Sequence, residues 1–196
     1  LGVCCFAGLV YAFGIIESEL KEEFNLAQQD VAVLTAAFDL AMYLSGPLGG
    51  MLYDAMGPSK TLLTATVIGG AGFAGLLSGV YRLGPLWHTI AMLAFSFALI
   101  GFASSTAFAV ANTTVCRSFP PKWRQTVIGC MQTGFGSSAG LFSGLSLALG
   151  GDLFLALACW APATVIVWTT GVFFLKVIPP CDDLLRSSSS PPSSSS

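Results

Sequence analysis

A carboxylate inside an apolar segment is the feature of this sequence that most clearly could do chemistry. Asp39 lies in residues 31–59, which contain no Lys or Arg and only one other acid, Asp54. Thr35, Asp39 and Tyr43 recur every four residues and therefore share one face of a helix. Because a carboxylate costs about 3 kcal/mol at the centre of a bilayer, the stripe predicts contact with a solute or cation in a wet cavity. The alternative is a structural carboxyl group that neighbouring hydroxyls satisfy.

A second set of polar side chains lies in two later apolar segments. Ser105 and Asn112 are seven residues apart, as are Thr106 and Thr113, and Gln132 follows in the next segment. We interpret these residues as candidates for lining a cavity. The alternative is local bonding, since hydroxyl groups inside membrane helices often bond only the carbonyls of their own helix.

The sequence contains no pattern typical of catalysis or of cofactor binding. No nucleophile, base and orienting group lie together, and the glycine-rich residues 134–140 lack both a preceding strand and the GxGxxG spacing. The six cysteines are scattered without a CxxC pair, and the net charge of −2 provides no basic surface for phosphates. We therefore expect no enzyme activity, no cofactor, no metal and no nucleic-acid partner.

Long apolar segments separate small clusters of charge. Only 9% of the 196 residues are charged, against about 25% in soluble domains, and the mean hydropathy is +0.77. A helix needs about 20 apolar residues to cross a bilayer. We therefore predict an all-α membrane protein with a six-helix transmembrane bundle over residues 1–178. The predicted helices are 1–16, 31–53, 61–81, 86–115, 125–149 and 153–178.

The two ends of the chain and its basic residues complete the predicted topology. The first span is short and begins with Leu1, so we expect the sequence to start inside a longer helix. The Ser- and Pro-rich residues 179–196 are expected to be a disordered tail. Basic residues collect on the cytoplasmic side of membrane proteins, which predicts that both chain ends lie in the cytoplasm. Lys21 and Arg82 lie on the other side, and the basic residues of the cytoplasmic side are Lys60, Arg117, Lys122, Arg124, Lys176 and Arg186.

A glycine-containing connection joins the second and third predicted helices. It carries Gly50, Leu52, Asp54, Gly57 and Lys60. We expect a tight turn of about six residues, in which Gly57 adopts a conformation that other residues disfavour. The carboxylate of Asp54 is expected to be held by a helix N-terminus or by a cation.

Glycines at four-residue spacing mark the fifth predicted helix. Gly136, Gly140 and Gly144 share one face. Because glycine lets two membrane helices approach closely, this stripe predicts helix packing.

These segments together resemble the major facilitator superfamily of transporters. The spacing G-x-L-x-D-x-x-G-x-x-K over residues 50–60 is similar to the superfamily's loop signature between the second and third helices. Residues 11–16 and 111–120, followed by Arg124, Gly129 and the glycine-rich residues 134–140, are similar to its nodulin-like branch. The resemblance covers nearly all of residues 1–178 and corresponds to the N-terminal six-helix half.

The resemblance implies a fold, a function and a partner. The fold would be half of a major facilitator transporter, organised as a three-plus-three inverted repeat, and the function would be movement of a small solute by alternating access. The partners would be the lipid bilayer and a second six-helix half, supplied by a missing segment or by another chain. In the superfamily, the residue matching Asp54 helps to hold the two halves together. Ala55 and Ser59 stand where the signature usually carries basic residues. The alternative is therefore a non-transporting membrane scaffold or a degenerate or truncated transporter fragment.

Overall fold

Helices make up nearly all of the structure, which is a computed structural model that describes residues 1–8, 14, 16, 20, 21, 25–81 and 86–175. No strand occurs among these residues. The helices are α1 (Gly2–Ala7), α2 (Gln28–Met56), α3 (Pro58–Tyr81), α4 (Leu86–Ser118), α5 (Pro121–Gly136), α6 (Ser138–Ala148) and α7 (Leu153–Phe174).

Four helices in the described part of the chain are long and apolar enough to cross a membrane. Their qualifying stretches are Gln28–Met56, Pro58–Gly79, Ile90–Ser118 and Phe154–Phe174. They correspond to the second, third, fourth and sixth predicted spans, and α2 extends beyond the predicted 31–53 at both ends. Most of the first predicted span after residue 8, and the predicted tail at 179–196, lie outside the described residues.

The fifth predicted span, 125–149, is not one continuous helix. It is divided into α5 and α6 at Ser137, whose backbone keeps helical angles (φ −75°, ψ −10°). The Ser137 hydroxyl donates to the Gly134 carbonyl at 3.0 Å, and the Ser138 hydroxyl contacts the carbonyls of Phe135 and Gly8. Serine hydroxyls that bond helix carbonyls often bend helices, and the contact between Ser138 and Gly8 also ties α6 to the end of α1.

The turn between α2 and α3 is shorter than expected. Gly57 alone separates the two helices, and its φ of +79° is a conformation that favours glycine. The expected turn of about six residues is wrong because both helices continue through its flanks, with Pro58 at the first position of α3.

A second turn joins α6 to α7. Gly150 and Gly151 have φ values of +80° and +84°. The Asp152 carboxylate then caps α7 by accepting a 2.9 Å hydrogen bond from the Leu155 N–H.

Helix α4 is the central element of the described bundle. It packs along both α2 and α3, and α3 also packs against α7. Close approach depends on small residues: a Cβ added to Gly101 would lie 2.6 Å from the Phe38 carbonyl oxygen of α2. This packing sets α2 and α4 side by side, and their shared end carries the loop residues singled out by the sequence.

Candidate solute-pathway face and loop site

The predicted polar stripe of α2 lies on an open face of that helix. Asp39 is exposed, Tyr43 is 74% exposed, and Thr35 is half-buried, with its hydroxyl donating to the Val31 carbonyl at 3.0 Å. Asp39 follows the first residue of α2 by eleven positions, which is about 16 Å along a helix, roughly half the thickness of a bilayer core. The structure therefore leaves the Asp39 carboxylate uncovered by the described residues, well inside a helix that is long enough to cross a membrane.

The polar residues of α4 divide between two environments. Thr106 is buried between α4 and α2: its Oγ1 would lie 3.3 Å from a Cβ added to Gly49, and it has no partner among the described residues. The interpretation of Thr106 as a cavity-lining residue is therefore wrong. Ser105 and Asn112 are half-buried, and the Asn112 Oδ1 is buried without a partner among the described residues.

A cleft of about 280 Å³ lies between α2 and α4 near the turn that follows α2. It brings together Thr113 of the predicted polar set with Gly50 and Asp54 of the loop motif. Thr35, Asp39, Tyr43, Ser105, Asn112 and Gln132 do not line it. The cleft is lined by Gly46, Gly49, Gly50, Tyr53, Asp54, Ala109, Val110, Thr113 and Arg117.

Four side chains at the end of this cleft hold α2 against α4, and we name them the clasp: Tyr53, Asp54, Thr114 and Arg117. The Arg117 Nη2 lies 3.4 Å from the Asp54 Oδ1, and its Cζ lies 4.9 Å from the centre of the Tyr53 ring. The Tyr53 and Thr114 hydroxyl oxygens are 3.3 Å apart. Because Thr114 donates its proton to the Val110 carbonyl at 2.7 Å, Tyr53 donates and Thr114 accepts.

Asp54 is held within the clasp by a basic side chain. Of the two expected partners, a helix N-terminus or a cation, the structure provides a cation, Arg117. A carboxylate in the last turn of a helix lies at the negative end of the helix dipole, so a nearby guanidinium offsets an unfavourable position. Leu52 is half-buried, and Lys60 is exposed in the first turn of α3.

Sequence reasoning missed Tyr53, Thr114 and Arg117 as site residues and used Arg117 only for orientation. A usable signal existed, since α2 and α4 are alternate spans, run in the same direction and end at the same side of the bundle. An acid and a base near those two ends, Asp54 and Arg117, are therefore neighbours. The hydroxyl pair lies just before these two residues: Tyr53 precedes Asp54 by one position, and Thr114 precedes Arg117 by three, which is about one turn.

The glycine stripe of α5 and α6 faces away from the described bundle. A Cβ added to Gly136, Gly140 or Gly144 would meet no atom within 4 Å, whereas one added to Gly79 of α3 would lie 3.2 Å from the Leu93 Cδ2. Gln132 of α5 is also exposed. The packing of this stripe stays a prediction, because no described residue packs closely against these three glycines.

Comparison with known proteins gives matches along most of the chain. Residues 1–194 match a family model described as Major Facilitator Superfamily. The chain is 30% identical over 143 residues to the probable transporter mch1 of Aspergillus fumigatus, covering 69% of this chain and 23% of that protein. It is 26% identical over 181 residues to the probable transporter MCH1 of Wickerhamomyces anomalus, covering 83% of this chain and 36% of that protein.

A third relative has a similar identity over a shorter stretch. The chain is 31% identical over 123 residues to the probable transporter mch1 of Emericella nidulans, covering 59% of this chain and 20% of that protein. This chain thus spans between 20% and 36% of the length of these curated relatives. No solved structure matches it.

Proposed function

The chain belongs to the major facilitator superfamily, and from this premise we propose that it forms one half of a secondary transporter that moves a small solute by alternating access. It is an all-α, integral, multi-pass membrane protein of a transporter family rather than an enzyme. In this mechanism, the described bundle rocks against a second six-helix half, and the solute passes between the two halves.

The open stripe on α2 is the observation that carries this proposal. Asp39 and Tyr43 are exposed inside a helix that is long enough to cross a membrane, and a carboxylate in contact with lipid at the centre of a bilayer would cost about 3 kcal/mol. That cost is avoided if the face borders a water-filled pathway. In this proposal Asp39 contacts the solute or a coupled cation, and Thr35 and Tyr43 line the pathway beside it.

A second half would cover the surfaces that the described residues leave open. The glycine stripe of α5 and α6, with open space around Gly136, Gly140 and Gly144, suits close packing against membrane helices. We propose that this partner is another segment of a longer polypeptide or a separate chain. Asp54 would then lie at the boundary between the halves.

The orientation and the branch of the family are further parts of the proposal. Six of the eight basic residues lie at one set of connections and in the tail, which supports a cytoplasmic location for both chain ends. The nodulin-like assignment rests on residues 11–16, on residues 111–120 and on the glycine-rich segment after them.

Cysteine accessibility tests whether the α2 face is wet. In a background without the six native cysteines, Asp39→Cys and Tyr43→Cys are expected to react rapidly with a water-soluble, membrane-impermeant maleimide. Val67→Cys is the matched control, since Val67 is 66% exposed on α3 and apolar, and it is expected to remain unlabelled in lipid. Labelling at position 39 no faster than at position 67 would contradict a solute pathway along α2 and favour a non-transporting scaffold.

A further inference from the structure

Helix α2 contains a point at which it can bend. Pro47 has no N–H for the Tyr43 carbonyl, so one bond of the helix is missing there. Gly46 and Gly50 lie on either side of it, and a Cβ at either glycine would meet no atom within 4 Å. A bend at this position therefore meets little steric resistance from the described residues.

The contact between α2 and α4 is close at Gly49, just beyond Pro47. A Cβ added to Gly49 would lie 3.3 Å from the Thr106 Oγ1. On the α2 side, the cleft of about 280 Å³ extends from Gly46 past Gly49 to Asp54. The last part of α2, residues 46–56, thus contacts α4 closely at Gly49 and at the clasp, and it borders unfilled space along the same stretch.

The contacts of the clasp are individually weak. The Arg117 and Asp54 side chains are 54% and 72% exposed, and exposed ion pairs contribute little to stability. The Tyr53 hydroxyl forms one neutral hydrogen bond at 3.3 Å, longer than usual for two hydroxyls. These polar contacts hold the helix end only weakly, so the burial of the Tyr53 ring, which is 5% exposed, is the main contribution that opposes separation.

We propose that residues 46–56 of α2 are a movable segment that pivots at Pro47 and is held against α4 by the clasp. The loop end of the described bundle then has two arrangements, closed with the clasp formed and open with it broken. This motion lies within one half, requires no second half, and so goes beyond the proposed rocking of two halves. It also makes Tyr53 and Arg117 the residues that set the ratio of the two arrangements.

The distance between two spin labels tests this proposal in the membrane-embedded full chain. Labels at Met51→Cys, on the exposed side of the segment, and at Phe119→Cys, just after α4, report the separation of the two helix ends in a background without native cysteines. Two distances are expected. Tyr53→Phe keeps the ring under Arg117 and removes the hydrogen bond, and should raise the open-to-closed ratio about fivefold.

Two proline variants locate the pivot. Pro47→Ala restores the helix bond to Tyr43 and is expected to reduce the open population in the Tyr53→Phe background. Pro162→Ala, at the proline inside α7, is the matched control and should leave the distances unchanged. A single distance that neither Tyr53→Phe nor Pro47→Ala alters would overturn the proposal, as would equal effects of the two proline variants. The measurement involves no transport, so its failure is distinguishable from a failure of the proposed function.

Discussion

Arg117 at the end of α4 contacts Asp54 at the end of α2, with 3.4 Å between Nη2 and Oδ1, although 63 positions separate them in the sequence. The same guanidinium lies over the Tyr53 ring. The acid of the loop signature is therefore paired inside the described half, beside a cleft that ends at these residues. This pairing joins the loop motif to the packing of two long helices.

The ion pair should make a small and measurable contribution to stability. Arg117→Gln, Asp54→Asn and the double variant form a cycle in which the coupling free energy is expected at about 0.2–1 kcal/mol, because both side chains are more than half exposed. Reversible unfolding in mixed micelles measures it. Added salt should reduce the coupling. A coupling of zero at low salt would show that the two charges do not interact.

The tight crossing of α2 and α4 should not tolerate a methyl group. Gly101→Ala places a Cβ 2.6 Å from the Phe38 carbonyl oxygen, a backbone atom that cannot turn aside, and we expect a loss of about 1–3 kcal/mol in the free energy of unfolding. Gly140→Ala is the matched control, since its Cβ would meet no atom within 4 Å. Equal stability of the two variants would contradict the described crossing.

Gly140→Ala also tests the surface proposed for the second half. In this chain alone the change should be neutral or slightly stabilising, because alanine favours helix more than glycine. In the presence of a second half, crosslinking between the two should fall if the glycine stripe packs there. Undiminished crosslinking would place the contact elsewhere.

The start of α7 depends on one side chain. Asp152→Ala removes the 2.9 Å bond to the Leu155 N–H and should cost about 1 kcal/mol, whereas Asp152→Ser retains a capping oxygen and should cost less. Thermal unfolding of the three proteins gives the comparison. A Ser variant as unstable as the Ala variant would mean that the cap is not the role of Asp152.

The long apolar helices could be predicted from the sequence because each lies between clusters of charge. The ends of α2 could not be predicted in this way. The charges near residues 30 and 60 mark only where polar surface begins, whereas the helix continues until Gly57 takes a positive φ. The division of the fifth predicted span at Ser137 could not be predicted from the sequence either. The interruption lies beside serine hydroxyls that contact carbonyls of the same helix and of Gly8, and the sequence alone does not indicate which serines make such contacts.

The residues of the site were predicted unevenly for a similar reason. Periodicity correctly put Thr35, Asp39 and Tyr43 on one face of α2, but a seven-residue spacing could not distinguish Thr106, buried against Gly49, from Thr113, which lines the cleft. That distinction depends on how close α2 lies to α4. Tyr53 and Thr114 were missed because their pairing requires knowledge of both helices at once.

Solute uptake by a chimera tests the central claim most directly. This chain would replace the matching segment of the Wickerhamomyces anomalus relative, and uptake would be measured for a labelled solute that the intact relative accumulates, chosen from anionic, neutral and cationic candidates. The account predicts uptake by the chimera, loss of uptake in its Asp39→Asn variant with normal expression and insertion, and none by this chain alone. A chimera that is inserted at normal levels without uptake, or uptake unchanged by Asp39→Asn, would contradict it.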